Sequence, residues 1–237
     1  MATPLTQLAI RQQIIEPWLA EVNSDFYTPA VIDFAINGEY KLFCAETLAG
    51  PIANYTQTGD GTTRYFALPP EIVDIWRVDY GVSGAQIEIP FMAFQNFSMR
   101  FGTQWPGITA AGTPYAYCVL GDYSIGFHPI IDVTSFSVYG PIVPDDLVNE
   151  SDTLLVSSAD AYTVAKRAYL WLIERHLMRG GTAPANYQRV VEEVKEETKK
   201  SQERIRRLYG GIRVAGRMLT QNITSLVQGF GPRFNWS

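Results

Sequence analysis

The residues that could carry acid–base or metal chemistry are few. His128 and His176 are the only histidines; His128 precedes Pro129 at the end of a predicted strand, and His176 lies in the last turn of a predicted helix. A metal site or a catalytic pair needs partners that converge on one place, and neither histidine has one nearby in the sequence. A partly charged His176 is also favourable at a helix C-terminus without any further role. We therefore expect neither histidine to be catalytic or to bind metal.

The two cysteines show no reactive pattern. Cys44 falls on a helical pattern and Cys118 within a strand-like stretch, without a Cys-x-x-Cys spacing. Free cysteine is among the most buried residue types, so we expect both to be small buried hydrophobic residues. The sequence alone does not decide whether they form a disulfide, although a reducing compartment disfavours one.

Motifs for nucleotide, dinucleotide and zinc-protease chemistry are missing: the sequence has no GxxxxGK[ST], no GxGxxG after a strand and no HExxH. The carboxylate pairs Asp145-Asp146 and Glu192-Glu193 fall in a predicted loop and on a charged helix, where such pairs are common. We expect no cofactor, no metal and no enzymatic activity. A hydrolase whose site forms only between subunits is disfavoured by the lack of any nucleophile–base pair.

Helical patterns occupy both ends of the chain. Thr28 and Pro29 are good starting residues for a helix, which we expect to run to about Ala49. A second helix is predicted over 160–179 and a third over 184–209, while residues 4–20 predict either a short helix or an extended arm.

The third predicted helix carries a weak heptad seam. Its apolar and small residues alternate spacings of four and three along the helix, at Tyr187, Val191, Val194, Thr198, Ser201, Ile205 and Leu208. Such a helix packs either against a neighbouring subunit or on its own domain. The second alternative is favoured, because two to three heptads fall short of a coiled coil.

Short segments rich in β-branched and aromatic residues fill the middle of the chain. They predict strands at Thr62–Leu68, Ile72–Tyr80, Gln86–Phe91, Tyr115–Leu120, Ser124–His128 and Val133–Gly140. The predicted class is α+β, a helical bundle with an inserted antiparallel β domain. Its predicted parts are an N-terminal arm and helix (1–61), the β domain (62–143), C-terminal helices completing the bundle (144–209) and an extended docking tail (210–237).

Charge is distributed unevenly along the 237 residues. Residues 1–159 contain 5 basic and 17 acidic side chains, whereas residues 160–217 contain 13 basic and 7 acidic ones. The two parts therefore favour different neighbours, or the basic part is simply a solvated charged helix. The chain begins without a secretory leader and has no apolar stretch near the ~18 residues of a membrane span, so we expect it to be made and kept in the cytoplasm.

Residues 210–237 mix glycines and polar residues with isolated apolar side chains that are costly to leave in water. We expect this tail to dock on a partner, although folding back over its own domain is the alternative. Arginine guanidinium groups before the tail can pair with carboxylates on that partner. The predicted partner-binding residues are Arg204, Arg206, Arg207, Ile223, Leu226, Phe230, Phe234 and Trp236.

Four sequence segments in the middle of the chain resemble those of the head-to-tail adaptor proteins of tailed bacteriophages: FALPPEIVDIWRVDY at 66–80, GTPYAY at 112–117, IGFHP at 125–129 and VYGP at 138–141. The resemblance covers roughly residues 25–178 and does not extend to the long helix and tail after Pro184.

The resemblance implies a ring of twelve copies beneath a portal, with tail or nozzle proteins below, in the neck of a virion assembled in the host cytoplasm. Double-stranded DNA would pass through the lumen without specific binding, which an acidic lumen favours because it repels phosphates. The main rival is a trimeric receptor- or carbohydrate-binding tail component. The position of the β region between helices and the anchoring tail favour the adaptor.

Overall fold

The computed structural model describes five stretches of the chain, which are residues 5–19, 27–82, 84–101, 110–121 and 124–209. Within them the chain divides into two compact units. The helical unit consists of residues 5–51 and 143–208, and the β unit consists of the intervening residues 52–142. The predicted α+β class is confirmed. The predicted tail, 210–237, lies outside the described residues.

The helices of the described residues are α1 (Gln7–Ile10), α2 (Glu16–Leu19), α3 (Pro29–Thr47), α4 (Phe94–Phe101), α5 (Ser158–Met178) and α6 (Tyr187–Tyr209), with a π-helical segment, Arg11–Ile15, joining α1 to α2. The strands are β1 (Ile52–Thr58), β2 (Tyr65–Ala67), β3 (Arg77–Tyr80), β4 (Ile87–Glu88), β5 (Ala111–Gly112), β6 (Ala116–Leu120), β7 (Ser124–His128), β8 (Ile130–Ile131) and β9 (Ser135–Pro141).

Helix ends in the helical unit follow local chemistry. Ser157 is the N-cap of α5, and its hydroxyl accepts a hydrogen bond from the backbone N–H of Asp160 at 3.2 Å. Pro29 occupies the first turn of α3 as predicted, but the Thr28 side chain makes no capping hydrogen bond. Helix α3 ends at Thr47, two residues before the expected end near Ala49, because Leu48 adopts a left-handed conformation with φ of 59°.

The core of the helical unit joins the N-terminal helix to α3, α5 and α6. Its largest fully buried side chains include Ile10, Ile15, Ile36, Phe43 and Tyr169. Residues 4–20, for which helix and arm were both open, are thus helical over Gln7–Leu19 and packed into this core. Burial of this apolar surface is the main stabilising contribution to the unit.

The strands of the β unit form three sheets. The largest is antiparallel with the order β1-β9-β3-β4, the second is antiparallel with the order β2-β7-β6, and β5 and β8 form a short parallel pair. Three aromatic rings lie at the centre of the unit: the Phe66 and Phe136 ring centroids are 4.9 Å apart, and the Phe127 centroid is 4.8 Å from that of Phe136. The Phe66–Phe136 contact is edge-to-face, an arrangement that stabilises a core beyond area burial alone.

The predicted strands correspond to β2, β3, β4, β6, β7 and β9, with most ends shorter than expected. The structure adds β1, β5 and β8, which the sequence did not predict. Strand β1 begins the β unit at Ile52, although residues 52–61 were assigned to the N-terminal part. Its side chains alternate between exposed and half-buried, so its apolar periodicity is weak.

Both cysteines are buried and free, as expected, with Cys44 in the helical unit and Cys118 in the β unit. Burial raises the pKa of each thiol, which keeps it protonated and unreactive. Among the described helices, none combines the length and apolar character needed to cross a bilayer.

Candidate functional site

The predicted partner-binding arginines lie in the C-terminal half of α6, and the structure separates their roles. Arg204 forms an ion pair with the buried carboxylate of Asp160 and donates a 3.3 Å hydrogen bond to the hydroxyl of Ser157. Ser157 in turn donates to Asp160 at 2.7 Å. Arg204 therefore fastens α6 to the first turn of α5, a contact inside its own chain.

Arg206 and Arg207 differ from Arg204, because both are exposed and neither forms an ion pair with a described residue. They lie in the last turn of α6, where positive charge complements the helix dipole. Leu208 follows with 67% of its surface exposed. Two unneutralised guanidinium groups beside an exposed leucine form a surface suited to an acidic protein partner. We call these three residues the α6 basic end.

Helix α6 is held on its own unit by a half-buried cation. The Lys166 ammonium group of α5 contacts Glu193 at 2.9 Å and Glu197 at 2.7 Å. Burial disfavours the charge on Lys166, but its hydrogen bonds to Glu197 and Glu193 outweigh this effect and raise the pKa of the ammonium group. The α6 basic end therefore projects from a firmly anchored helix.

The heptad seam of α6 packs on its own unit over the first part of the helix. Val194 and Ser201 are buried, but so is Val190, which lies outside the predicted seam. Leu208 at the end of the seam is largely exposed. Intramolecular packing of the seam, the favoured alternative, is thus confirmed for its buried part.

A second, partly exposed surface, which we did not predict from the sequence, lies on α3 and α5. The Arg175 guanidinium lies 4.6 Å from the centroid of the Trp171 ring, and the Phe34 ring centroid is 5.9 Å from the same ring. Phe34 is 49% exposed, and Arg175 forms no ion pair with a described carboxylate. Tryptophan and arginine are enriched at interface hot spots. In the sequence, this surface could have been recognised only from the spacing of Trp171 and Arg175, which places both residues on one face of α5.

Neither histidine lies in a catalytic arrangement. The His128 ring stacks on Phe101 with centroids 3.8 Å apart and meets the Tyr115 ring edge-on at 5.2 Å. Burial, together with the nearby charge of Arg64, lowers the pKa of His128, so it packs as a neutral aromatic ring. His176 belongs to the other unit, beside Tyr27. Among the described residues, no group of His, Cys, Asp or Glu side chains could hold a metal ion.

Comparison with protein-family models matches residues 6–217 to the family described as SU10 adaptor protein. The chain belongs to this family. The resemblance to phage head-to-tail adaptors is thereby confirmed, and it extends beyond residues 25–178 into α6 and past it. A search of curated proteins found no match.

Membership of the SU10 adaptor family makes the chain a phage adaptor protein, a structural component rather than an enzyme in kind. The family implies a location in the virion neck and contacts with portal and tail proteins. Of the predicted contact residues, Ile223, Leu226, Phe230, Phe234 and Trp236 lie outside the described residues. The site that the structure describes is the α6 basic end.

Proposed function

We propose that this adaptor forms a ring of twelve copies that joins the portal to tail or nozzle proteins and continues the channel for double-stranded DNA. The observation that carries the proposal is the family match over residues 6–217, which runs through both units and not through one alone. The number twelve comes from the resemblance, in which the ring lies beneath a twelve-fold portal. Assembly takes place in the host cytoplasm.

In this proposal the α6 basic end and the tail form the contact with the portal or with a neighbouring copy. Arg206 and Arg207 supply the charge-assisted hydrogen bonds, and Arg204 positions them by holding α6 on α5. The apolar anchors of the tail are Ile223, Leu226, Phe230, Phe234 and Trp236. Aromatic and arginine side chains of this kind contribute most of the binding energy at typical interfaces.

The distribution of charge supports a channel that does not bind DNA. Residues 1–159 contain 17 acidic and 5 basic side chains, so a lumen bordered by this part of the chain repels the duplex. Each phosphate neutralised by lysine or arginine would strengthen sequence-independent binding and slow the passage of DNA. The basic α6 then faces protein partners.

Charge reversal at the α6 basic end tests the contact. We expect the double variant Arg206→Glu/Arg207→Glu to bind the portal at least tenfold more weakly than the parent chain, a loss of about 1.4 kcal/mol, because both guanidinium groups lose their carboxylate partners. The measurement is the dissociation constant of full-length protein for purified portal at fixed ionic strength.

The matched control is Lys199→Glu/Lys200→Glu, which makes the same change of charge at two other exposed positions on the same helix. Its affinity should stay within about twofold of the parent, since neither lysine belongs to the α6 basic end and the ion pair of Lys200 with Glu196 is exposed and contributes little. Equal losses in both double variants would mean a general charge effect, and an unchanged affinity in the first would exclude the α6 basic end as the contact.

A further inference from the structure

Strand β1 lies at the edge of the largest sheet of the β unit, paired with β9 along all seven of its residues. Just beyond β1, the backbone N–H of Gly59 donates to the carbonyl oxygen of Thr134 at 3.1 Å. This bond identifies which facing residues of β1 and β9 form hydrogen-bonded pairs. Because facing residues in an antiparallel pair alternate in hydrogen bonding, Ala53, Tyr55 and Gln57 direct their backbone groups at β9. Asn54, Thr56 and Thr58 direct theirs outward.

These outward backbone groups have no partner strand among the described residues. Native sheet edges are usually protected by charged side chains, proline or a bulge. Strand β1 has none of these, because Ile52–Thr58 contains no charged residue and no proline and its register with β9 is continuous. An edge of this kind is chemically ready to accept another strand.

Side-chain contacts also hold this edge in an extended form. The hydroxyl groups of Thr56 and Ser137 are 2.9 Å apart, and those of Thr58 and Ser135 are 3.1 Å apart. Cross-strand hydroxyl pairs stabilise the strand geometry. The edge is therefore preorganised, which lowers the entropic cost of adding a strand.

We infer that the outer edge of β1 binds a strand supplied by the tail, residues 210–237, of a second copy of this chain. The tail has 28 residues, which can span about 90 Å when extended. Its only charged residues are Arg213, Arg217 and Arg233, whereas residues 52–142 contain three basic and seven acidic side chains. The tail and the β unit thus have complementary charge.

The composition of the tail also suits this role. Residues 218–232 contain no charged side chain and include the β-branched Ile223, Thr224 and Val227, which favour extended backbone. An arm passed from each copy to the next is a heterologous contact, the type that closes rings. The inference rests on the proposed function in that it takes copies to be neighbours around the portal.

Proline at the outward-facing position 54 tests the strand addition. In Asn54→Pro the outward N–H is lost and the proline ring occupies the place of the added strand, while the β1–β9 hydrogen bonds do not use this N–H. We expect at least a tenfold fall in the amount of full-length protein assembled on the portal. The control Asn54→Ala removes the same side chain but keeps the N–H, and should assemble like the parent. Normal assembly of Asn54→Pro would overturn the inference.

Cross-linking between copies gives a second test that does not depend on the proline variant folding. Full-length Asn54→Cys is mixed with full-length Thr224→Cys on the portal and treated with a short bismaleimide. The native Cys44 and Cys118 are buried and should not react. We expect a mixed covalent dimer that neither variant gives with the parent chain.

The outcomes separate the inference from the proposed function. Copies that join the portal without the mixed dimer would overturn the strand addition and leave the proposed function standing. A parent chain that does not join the portal at all would overturn both.

Discussion

Replacing Arg167 with methionine is expected to lower the free energy of unfolding of the helical unit by about 3 kcal/mol, the lower end of the cost of breaking a buried ion pair, because it removes the cation of a largely buried pair. The Arg167 guanidinium of α5 contacts two carboxylates of α3, Glu39 at 2.8 Å and Glu46 at 2.7 Å. Burial disfavours its charge, but Glu39 and Glu46 outweigh that effect and raise the pKa of Arg167. Methionine would leave the largely buried Glu39 carboxylate without its cation.

Denaturant unfolding of full-length protein, followed by helical circular dichroism, measures this loss. The control Arg189→Met removes an arginine whose 3.7 Å contact with Glu193 lies on the exposed face of α6, and should cost less than about 1 kcal/mol. Equal effects of the two substitutions would contradict the role assigned to Arg167.

Replacing Gly140 with alanine is expected to destabilise the β unit by about 3 kcal/mol, at the upper end of the usual cost of overpacking. Gly140 lies in β9 opposite Ala53, and a Cβ atom there would overlap the backbone carbonyl oxygen of Asp74. The overlap is with backbone and not with the end of a side chain, so the strand itself must move.

Hydrogen exchange of the β6 and β7 amides measures the stability of this unit. In the control Gly112→Ala, the new Cβ would lie 3.9 Å from the Pro129 ring, an ordinary contact. That variant should be unchanged or stabilised by up to about 1 kcal/mol. Similar exchange rates in both variants would contradict the close approach described at Gly140.

Helices α3, α5 and α6 could be predicted because their information is local. Proline at the start of α3, serine before α5 and glycine at position 180, whose φ is 85°, mark helix ends within a few residues of the sequence. Strand β1 was not predicted because it is an edge strand with no buried residue. Only Ala53, Tyr55 and Gln57 are half-buried, and none of these is a large aliphatic residue, so the strand lacks a clear alternation of apolar and polar residues. Its place in the sheet is decided by β9, far along the chain.

The candidate site was predictable in composition but not in geometry. The sequence indicated a basic helix end, yet gave Arg204 the same role as Arg206 and Arg207. Only the fold brings Arg204 to Asp160, 44 residues away, and leaves the other two exposed. In the same way, Phe34 meets Trp171 from a different helix. Contacts between distant segments carry no local pattern from which sequence reasoning could derive them.

The most direct test of the proposed ring is the mass of the purified full-length protein in solution, alone and after mixing with purified portal. We predict a free monomer that joins the portal in one-to-one subunit stoichiometry, twelve copies on a twelve-fold portal. A stable free trimer that ignores the portal would contradict the account and support a receptor-binding tail component instead.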